Sequence, residues 1–235
     1  MNSVSTLTRE QTLREMGLGP VWKLRDQPVE ESSPADVGDA LLVSEDRLSN
    51  DWPALQNAVS NCHLCPLCEQ RNQAVLGVGD VQADWLFVGE GPGEEEDKRG
   101  EPFVGQAGKL LDNMLAAIQL KRGHDVYIAN AVKCRPPGNR TPTDEELNVC
   151  RPYLQQQIAL IKPRLIVALG GTAAKTLLQR DEIKVGALRG QVHDCHGIPL
   201  IVTYHPSYLL RSPMEKARAW EDLCLMRRTM FDLKQ

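Results

Sequence analysis

Four short apolar runs, Trp85–Val88, Val126–Ala129, Leu165–Leu169 and Leu200–Thr203, recur from Trp52 onward with longer helix-period segments between them. Short apolar runs that alternate with helical segments mark parallel strands covered by helices. The chain is therefore expected to fold as α/β, a three-layer α/β/α arrangement around a central, mainly parallel four-stranded sheet. An edge hairpin is expected at Ala74–Val78, ahead of the first run. Leu110, Leu111, Met114, Leu115 and Ile118 make one helical stripe, and Leu147, Cys150, Leu154, Ile158 and Ile161 a second. Thr143 with Glu146 forms a capping box at the start of that second helix. Trp220, Leu223, Cys224 and Phe231 mark a closing helix.

A chain of 235 residues, 42% hydrophobic and 25% charged, fits one ordinary globular domain. The longest apolar stretch, Leu165–Ala174, is too short to cross a bilayer, and Met1–Met16 has no continuous apolar core for a signal peptide. No membrane association and a cytoplasmic location are expected. The net charge is −4, but residues 1–60 hold five Lys and Arg against ten Asp and Glu, so the acidity belongs to the leader. Residues 1–50, rich in Pro, Glu, Ser and Asp between Gln27 and Asp39, read as a mobile acidic extension with one short helix. Residues 51–235 then form the functional domain. Its near-neutral balance permits DNA binding where cations cluster, as Lys133, Arg135 and Arg140 do, and Arg211, Lys216 and Arg218.

In open α/β sheets ligands bind beyond the carboxyl ends of the strands. The first strand runs into Gly89-Glu90-Gly91-Pro92-Gly93 and the acids Glu94 to Asp97. The second runs into Asn130 to Arg140, the third into Gly170-Gly171-Thr172, and the fourth into His205-Pro206-Ser207. The glycines lack dinucleotide-binding spacing, and Gly108-Lys109 lacks the upstream glycine of a phosphate loop. Most of the four acids read as a solvated face. Glu90, Asn130 and His205 instead stand at equivalent strand ends, a carboxylate, an amide and an imidazole suited to proton chemistry on a polar ring. Phe103 offers a flat apolar face.

Seven cysteines without an export signal point to core thiols or metal ligands. Cys62-x-x-Cys65 has ligand spacing, and Cys134 and Cys150 bracket a polar loop, so four thiolates can close one site. Cys68 forms a second CxxC with Cys65, and spacing does not choose between Cys62 and Cys68. Tetrathiolate ligation suits zinc and an iron-sulfur cluster equally. Cys195 and Cys224 read as core or surface thiols.

Taken together, GEGPGEEEDKRGEPFVGQAGKLLD, IANAVKCRPPGNRTPTDEE and HPSYLLR resemble the motifs of the family 4, iron-sulfur uracil-DNA glycosylases, in order and over Cys62 to Leu233. The resemblance implies a four-iron four-sulfur (4Fe-4S) cluster on Cys62, Cys65, Cys134 and Cys150, in a structural role. It implies that uracil flipped out of DNA is stacked by Phe103 and read by the Asn130 amide, with Gly91 and Gly93 contributing backbone to the pocket. His205 would donate to the departing base. Glu90, with Glu96 and Asn139, would orient water or stabilise the cationic sugar, and Glu96 with its neighbours would exclude the thymine methyl. Gly170, Thr172, Ser207 and Arg211 would hold phosphate, and Leu209, between Tyr208 and Leu210, would belong to an apolar wedge in the duplex.

The expected activity is therefore a monofunctional DNA glycosylase, a hydrolase of N-glycosyl bonds, that excises uracil from single- or double-stranded DNA and leaves an abasic site in the base excision repair of deaminated cytosine. It would act as a monomer, with residues 1–50 available to a protein partner. The rival readings are a non-catalytic protein that binds uracil-containing or single-stranded DNA and an iron-sulfur redox protein.

Overall fold

The computed structural model describes residues 51–235, so the mobile extension and short helix expected over residues 1–50 lie outside the described residues. All four expected strands form, three of them slightly longer than expected. In chain order the strands are β1 Val78–Gly79, β2 Trp85–Gly89, β3 Val126–Asn130, β4 Leu165–Leu169, β5 Val192–Cys195 and β6 Ile198–Thr203. They make one sheet in the order β1-β3-β2-β4-β6-β5, parallel through β3, β2, β4 and β6 and antiparallel at the two edges. The helices are α1 Trp52–Ser60, α2 Leu67–Gln70, α3 Glu94–Arg99, α4 Gln106–Ala117, α5 Asp144–Ile161, α6 Gly171–Leu178, α7 Val185–Leu188, α8 Pro206–Arg211 and α9 Lys216–Leu233. None among the described residues is long and apolar enough to cross a membrane.

Strand side chains alternate between two faces, and each face has its own core. Trp85, Phe87, Val126, Ile128 and Val167 pack with Leu111, Met114 and Leu115 of α4 and with Leu223, Met226 and Met230 of α9. Leu86, Val88, Ala129, Ile166 and Ala168 pack with Leu154 and Ile161 of α5 and with Ala173, Ala174 and Leu177 of α6. Three layers result. A third cluster joins Leu55 and Val59 of α1 to Leu147 and Tyr153 of α5, with Cys134 and Cys150 among its members.

The chain leaves β2 toward β3 through α3 and then α4, which packs on one face, and returns through α5 on the other face to place β4 on the far side of β2. That reversal opens a crevice beyond the strand ends. The register levels those ends, with Gly89 opposite Asn130 and Leu169 opposite Thr203. Glu90, Gly170 and His205 therefore emerge along one rim.

One expectation at the sheet edges needs correction. The hairpin at Ala74–Val78 does not form, because this segment binds other parts of the fold. The Val75 N–H donates to the Lys133 carbonyl at 2.7 Å, and Leu76 O accepts from Gln157 Nε2 at 2.9 Å. Only Val78 and Gly79 pair as a strand, and their partner is β3. The hairpin lies instead at the other edge, where His196 and Gly197 (φ 53° and 84°) make the two-residue turn between β5 and β6.

The expected capping box is present and reaches toward the rim. The Thr143 side chain accepts from Glu146 N at 3.3 Å, and Thr143 N donates to Glu146 Oε2 at 2.8 Å. The same carboxylate takes Arg140 Nη1 and Nη2 at 2.8 and 2.6 Å, so the cap also anchors the loop that carries Asn139. Replacing Thr143 with Ala is expected to lower stability by about 1 kcal/mol. Urea unfolding of the two proteins checks this, and an unchanged midpoint would mean the cap contributes nothing.

Candidate active site

Nine of the residues singled out from sequence, Glu90, Gly91, Gly93, Glu96, Phe103, Asn130, Asn139, His205 and Ser207, line one cavity of about 200 Å³. That volume is the scale of a single pyrimidine ring with a few waters. Arg140, Ala107 and Pro136 complete the lining together with Pro92. In sequence Arg140 stands out only as a cation.

The apolar wall is Phe103, buried to 6% exposure and held at φ 56°. A left-handed backbone at a bulky residue costs roughly 1–3 kcal/mol and persists only where its surroundings impose it. Here they do. Glu96 Oε1 accepts from the next two backbone amides, Val104 N at 2.9 Å and Gly105 N at 3.0 Å, and Arg122 donates to Pro102 O and Phe103 O at 2.7 and 2.8 Å. Two glycines make the room. A Cβ on Gly108 would lie 1.8 Å from Phe103 O, and one on Gly89 would lie 2.5 Å from both the Phe103 ring and Asn130 Oδ1. Glu96 is thus committed through one oxygen to shaping the wall. Glu94 and Glu95 are exposed, as expected of a solvated face, whereas Asp97 is buried and accepts from Asn72 N, Asn72 Nδ2 and Gln73 N.

Asn130 closes the end of β3 at 1% exposure, and its Oδ1 has no hydrogen-bond partner. A buried acceptor left unpaired costs about 1–3 kcal/mol, so a pocket built around one is built for a donor. Across the cavity, the His205 ring lies 5.5 Å from the Phe103 ring, centroid to centroid. His205 caps α8, and its Nδ1 accepts from Ser207 N at 3.2 Å, with Ser207 Oγ at 2.7 Å. A backbone N–H only donates, so Nδ1 must be the acceptor and Nε2 carries the proton. Burial pushes the imidazole down to about 4, the Arg211 charge adds to the shift, and Glu96 opposes it. His205 is therefore a neutral N–H donor at neutral pH.

Glu90 is half-buried, and its Oε2 accepts from Thr172 Oγ1 at 2.5 Å. The Thr172 hydroxyl hydrogen is thus given to Glu90, while the phosphate contact expected of Gly170 to Thr172 rests on their backbone N–H groups, which stand at the start of α6. Arg135 Nε donates to Asn139 Oδ1 at 2.7 Å. Leu209 needs correction as a wedge, because it is 1% exposed and packs in the core beneath α8. The exposed apolar side chains there are Tyr208 and Leu210, and Arg211 is exposed beside them. The helical phase turns Leu209 inward.

Cys62, Cys65, Cys134 and Cys150 line a second, small cavity, and Cys68 does not. No group of three or more His, Cys, Asp or Glu among the described residues is gathered as a mononuclear metal site. Donors are already aimed at the sulfurs, with Arg71 Nη1 2.9 Å from Cys134 Sγ and Lys133 N 3.3 Å from Cys150 Sγ. Hydrogen bonds of this kind stabilise thiolates that ligate a cluster. Without such a ligand, burial pushes the Cys150 thiol up to about 12, only partly offset by Lys133. Four thiols that line one cavity and are served by two N–H donors make a donor set that fits an iron-sulfur group. Cys195 is buried, with its thiol toward Leu177 O, and Cys224 is half-buried on α9.

A model of the uracil DNA glycosylase superfamily matches residues 76–224. The chain is 43% identical over 182 residues to a type-4 uracil-DNA glycosylase of Pyrobaculum aerophilum, covering 74% of this chain and 92% of that protein. It is 48% identical over 161 residues to the type-4 enzyme of Thermotoga maritima, covering 68% and 83%. With that of Archaeoglobus fulgidus it shares 43% over 162 residues, covering 66% and 81%.

The hydrogen bonds of His205 are open to direct measurement. Ring ¹⁵N shifts are expected to report the Nε2–H tautomer from pH 5 to 8, with protonation only near 4. Between the ordinary value of 6.5 and that midpoint the unfolded chain takes up a proton that the native ring refuses, so this group's contribution to stability falls as pH drops through the interval. A midpoint near 6.5 or an Nδ1–H tautomer would contradict the geometry.

Proposed function

The chain belongs to the uracil-DNA glycosylase superfamily, in its type-4 branch, and from that premise we propose that it is a monofunctional enzyme that removes uracil from DNA and leaves an abasic site for base excision repair. The observation that carries the reading is the partnerless Asn130 Oδ1, buried in a ring-sized cavity between the Phe103 wall and the Nε2–H donor of His205. A glycosylase must extrude its base from the stack before reading it. Uracil offers an N3–H donor to Oδ1 and an O4 acceptor to the amide nitrogen. Cytosine presents the reverse pattern, at a penalty of roughly 1–3 kcal/mol for each mispaired buried group.

Breaking the N-glycosidic bond leaves negative charge on the base and positive charge on the sugar. His205 donates Nε2–H to the uracil oxygen O2 as that charge grows, and as a neutral donor it keeps its proton through the step. Glu90, oriented by Thr172, faces the sugar and aligns water or steadies the cation, with Asn139 beside the mouth. Glu96 holds the Phe103 loop and, with its neighbours, crowds the position of a thymine methyl. Tyr208 and Leu210 fill the gap in the duplex, Arg211 meets phosphate, Ser207 stands at the DNA side holding His205, and the backbone of Gly170 to Thr172 at the start of α6 meets phosphate as well.

On this reading Cys62, Cys65, Cys134 and Cys150 hold a 4Fe-4S cluster, which when bound supplies a rigid cross-link between α1, the loop after β3 and α5. Residues 51–235 are the catalytic domain. Residues 1–50 are an acidic extension offered to a protein partner, and the enzyme works as a cytoplasmic monomer on single- or double-stranded DNA. The gathering of Glu90, Asn130 and His205 in one cavity favours catalysis over silent DNA binding or electron transfer.

Single-turnover assays on a labelled oligonucleotide test this directly. Alkali-labile sites are expected only in the uracil strand, with thymine and cytosine strands untouched, and no product from cluster-loaded protein would overturn the reading. His205→Ala is expected to slow release roughly a hundred- to a thousandfold while keeping the visible cluster spectrum. Colour should be lost in Cys62→Ala and kept in Cys68→Ala, and the reverse would reassign the ligand.

A further inference from the structure

Lys133 is buried to 1% exposure at the seam between the base cavity and the cysteine cavity. Its Nζ donates to the Asn130 backbone carbonyl at 2.7 Å and to Gln157 Oε1 at 2.5 Å. Gln157, on α5 and also fully buried, passes the connection on, because its Nε2 donates to Leu76 O at 2.9 Å and to the Tyr127 hydroxyl at 3.4 Å. The main chain of the same lysine works in the other direction. Its N–H meets Cys150 Sγ at 3.3 Å, and its carbonyl accepts from Val75 N at 2.7 Å.

Burying a lysine head group is unfavourable, and an apolar side chain of similar length would fill the space without that penalty. The groups Lys133 donates to are carbonyl and amide oxygens, so what it provides is a directed hydrogen bond and not a neutralising pair. One of those oxygens belongs to Asn130, whose side chain carries the partnerless acceptor of the cavity. We propose that Lys133 is a positioning residue for base recognition, clamping the Asn130 backbone to α5 so that Oδ1 meets the base at a fixed height, and tying that height through its own main chain to the Cys150 end of the cysteine site. The proposal rests on the reading of Asn130 as the group that reads the uracil edge.

The test uses full-length, cluster-loaded protein and four forms of it: the parent, Lys133→Met, Asn130→Ala and the double variant. Inhibition by free uracil and single-turnover release from a uracil oligonucleotide are measured alongside iron content and visible absorption. Lys133→Met is expected to weaken free-uracil inhibition on the order of ten- to a hundredfold, as small misplacements of a reading group do, with iron and colour retained. In the Asn130→Ala background the same change is expected to add nothing, because a residue acting through Asn130 has nothing left to position. Unchanged uracil inhibition in Lys133→Met, or a loss that adds in full to that of Asn130→Ala, overturns the proposal. Gln157→Met, which removes the α5 anchor of the ammonium group, is read by the same criteria if Lys133→Met does not fold. A parent that releases no uracil overturns the functional reading itself, whereas an active parent with an indifferent Lys133→Met overturns this inference alone.

Discussion

A parallel sheet must send its connections across its faces, and here the direction of crossing reverses at β2. Everything that bears chemistry depends on that reversal. Helices on opposite faces diverge from the β2 end, and the gap between them is left open. The level register of β3, β2, β4 and β6 then delivers an amide, a carboxylate, a glycine-opened helix start and an imidazole to a single edge, although the residues are scattered from position 90 to position 205. The connection from β2 to β3 supplies the Phe103 wall from the same side.

The buried polar groups divide into those the fold uses and those it leaves for something else. Asp97 and Asp222 are buried carboxylates with their work done inside the protein. Asp97 pins the chain at Asn72, and Asp222 takes the Thr203 hydroxyl at 2.7 Å and Arg189 Nε at 3.1 Å, locking the end of β6 to α9. Glu90 is intermediate, since Thr172 takes one of its oxygens. Asn130 Oδ1 stands apart as a partnerless buried atom in the cavity lining, among the described residues. Asp222 Oδ1 also lacks a hydrogen bond but lies 3.0 Å from Arg189 Nη2, so what marks Asn130 is a partnerless acceptor that lines the cavity.

Most of the sheet is legible in the sequence because full burial writes a strand as an unbroken apolar run, and β2, β3 and β4 are buried at every position. β5 is hidden for the opposite reason. Val192, His193 and Asp194 are partly or wholly exposed at an edge, and the His196-Gly197 turn lacks the usual Asn-Gly signature. The strand-end rule finds most of the cavity, since it depends on topology alone. The motif resemblance does not find which way a side chain turns inside a short helix, so it counts Leu209 in the wedge with Tyr208 and Leu210, and of the two leucines only Leu210 is exposed. Nor does it show that Thr172 faces Glu90, or that Arg122 grips the Phe103 loop from a distant segment, because such pairs carry no local pattern.

The fit of Gly108 beneath Phe103 has a consequence for reading other chains. The carbonyl of the wall residue lies so near the Gly108 Cα that even a methyl group has no place there. The ring cannot keep this pose over any other residue at that site. A sequence that shares the surrounding motif but carries alanine or larger there has a different wall, and so a different cavity to offer a base. One position outside the cavity lining thus becomes a marker by which altered base preference can be recognised from the amino-acid sequence of a relative alone.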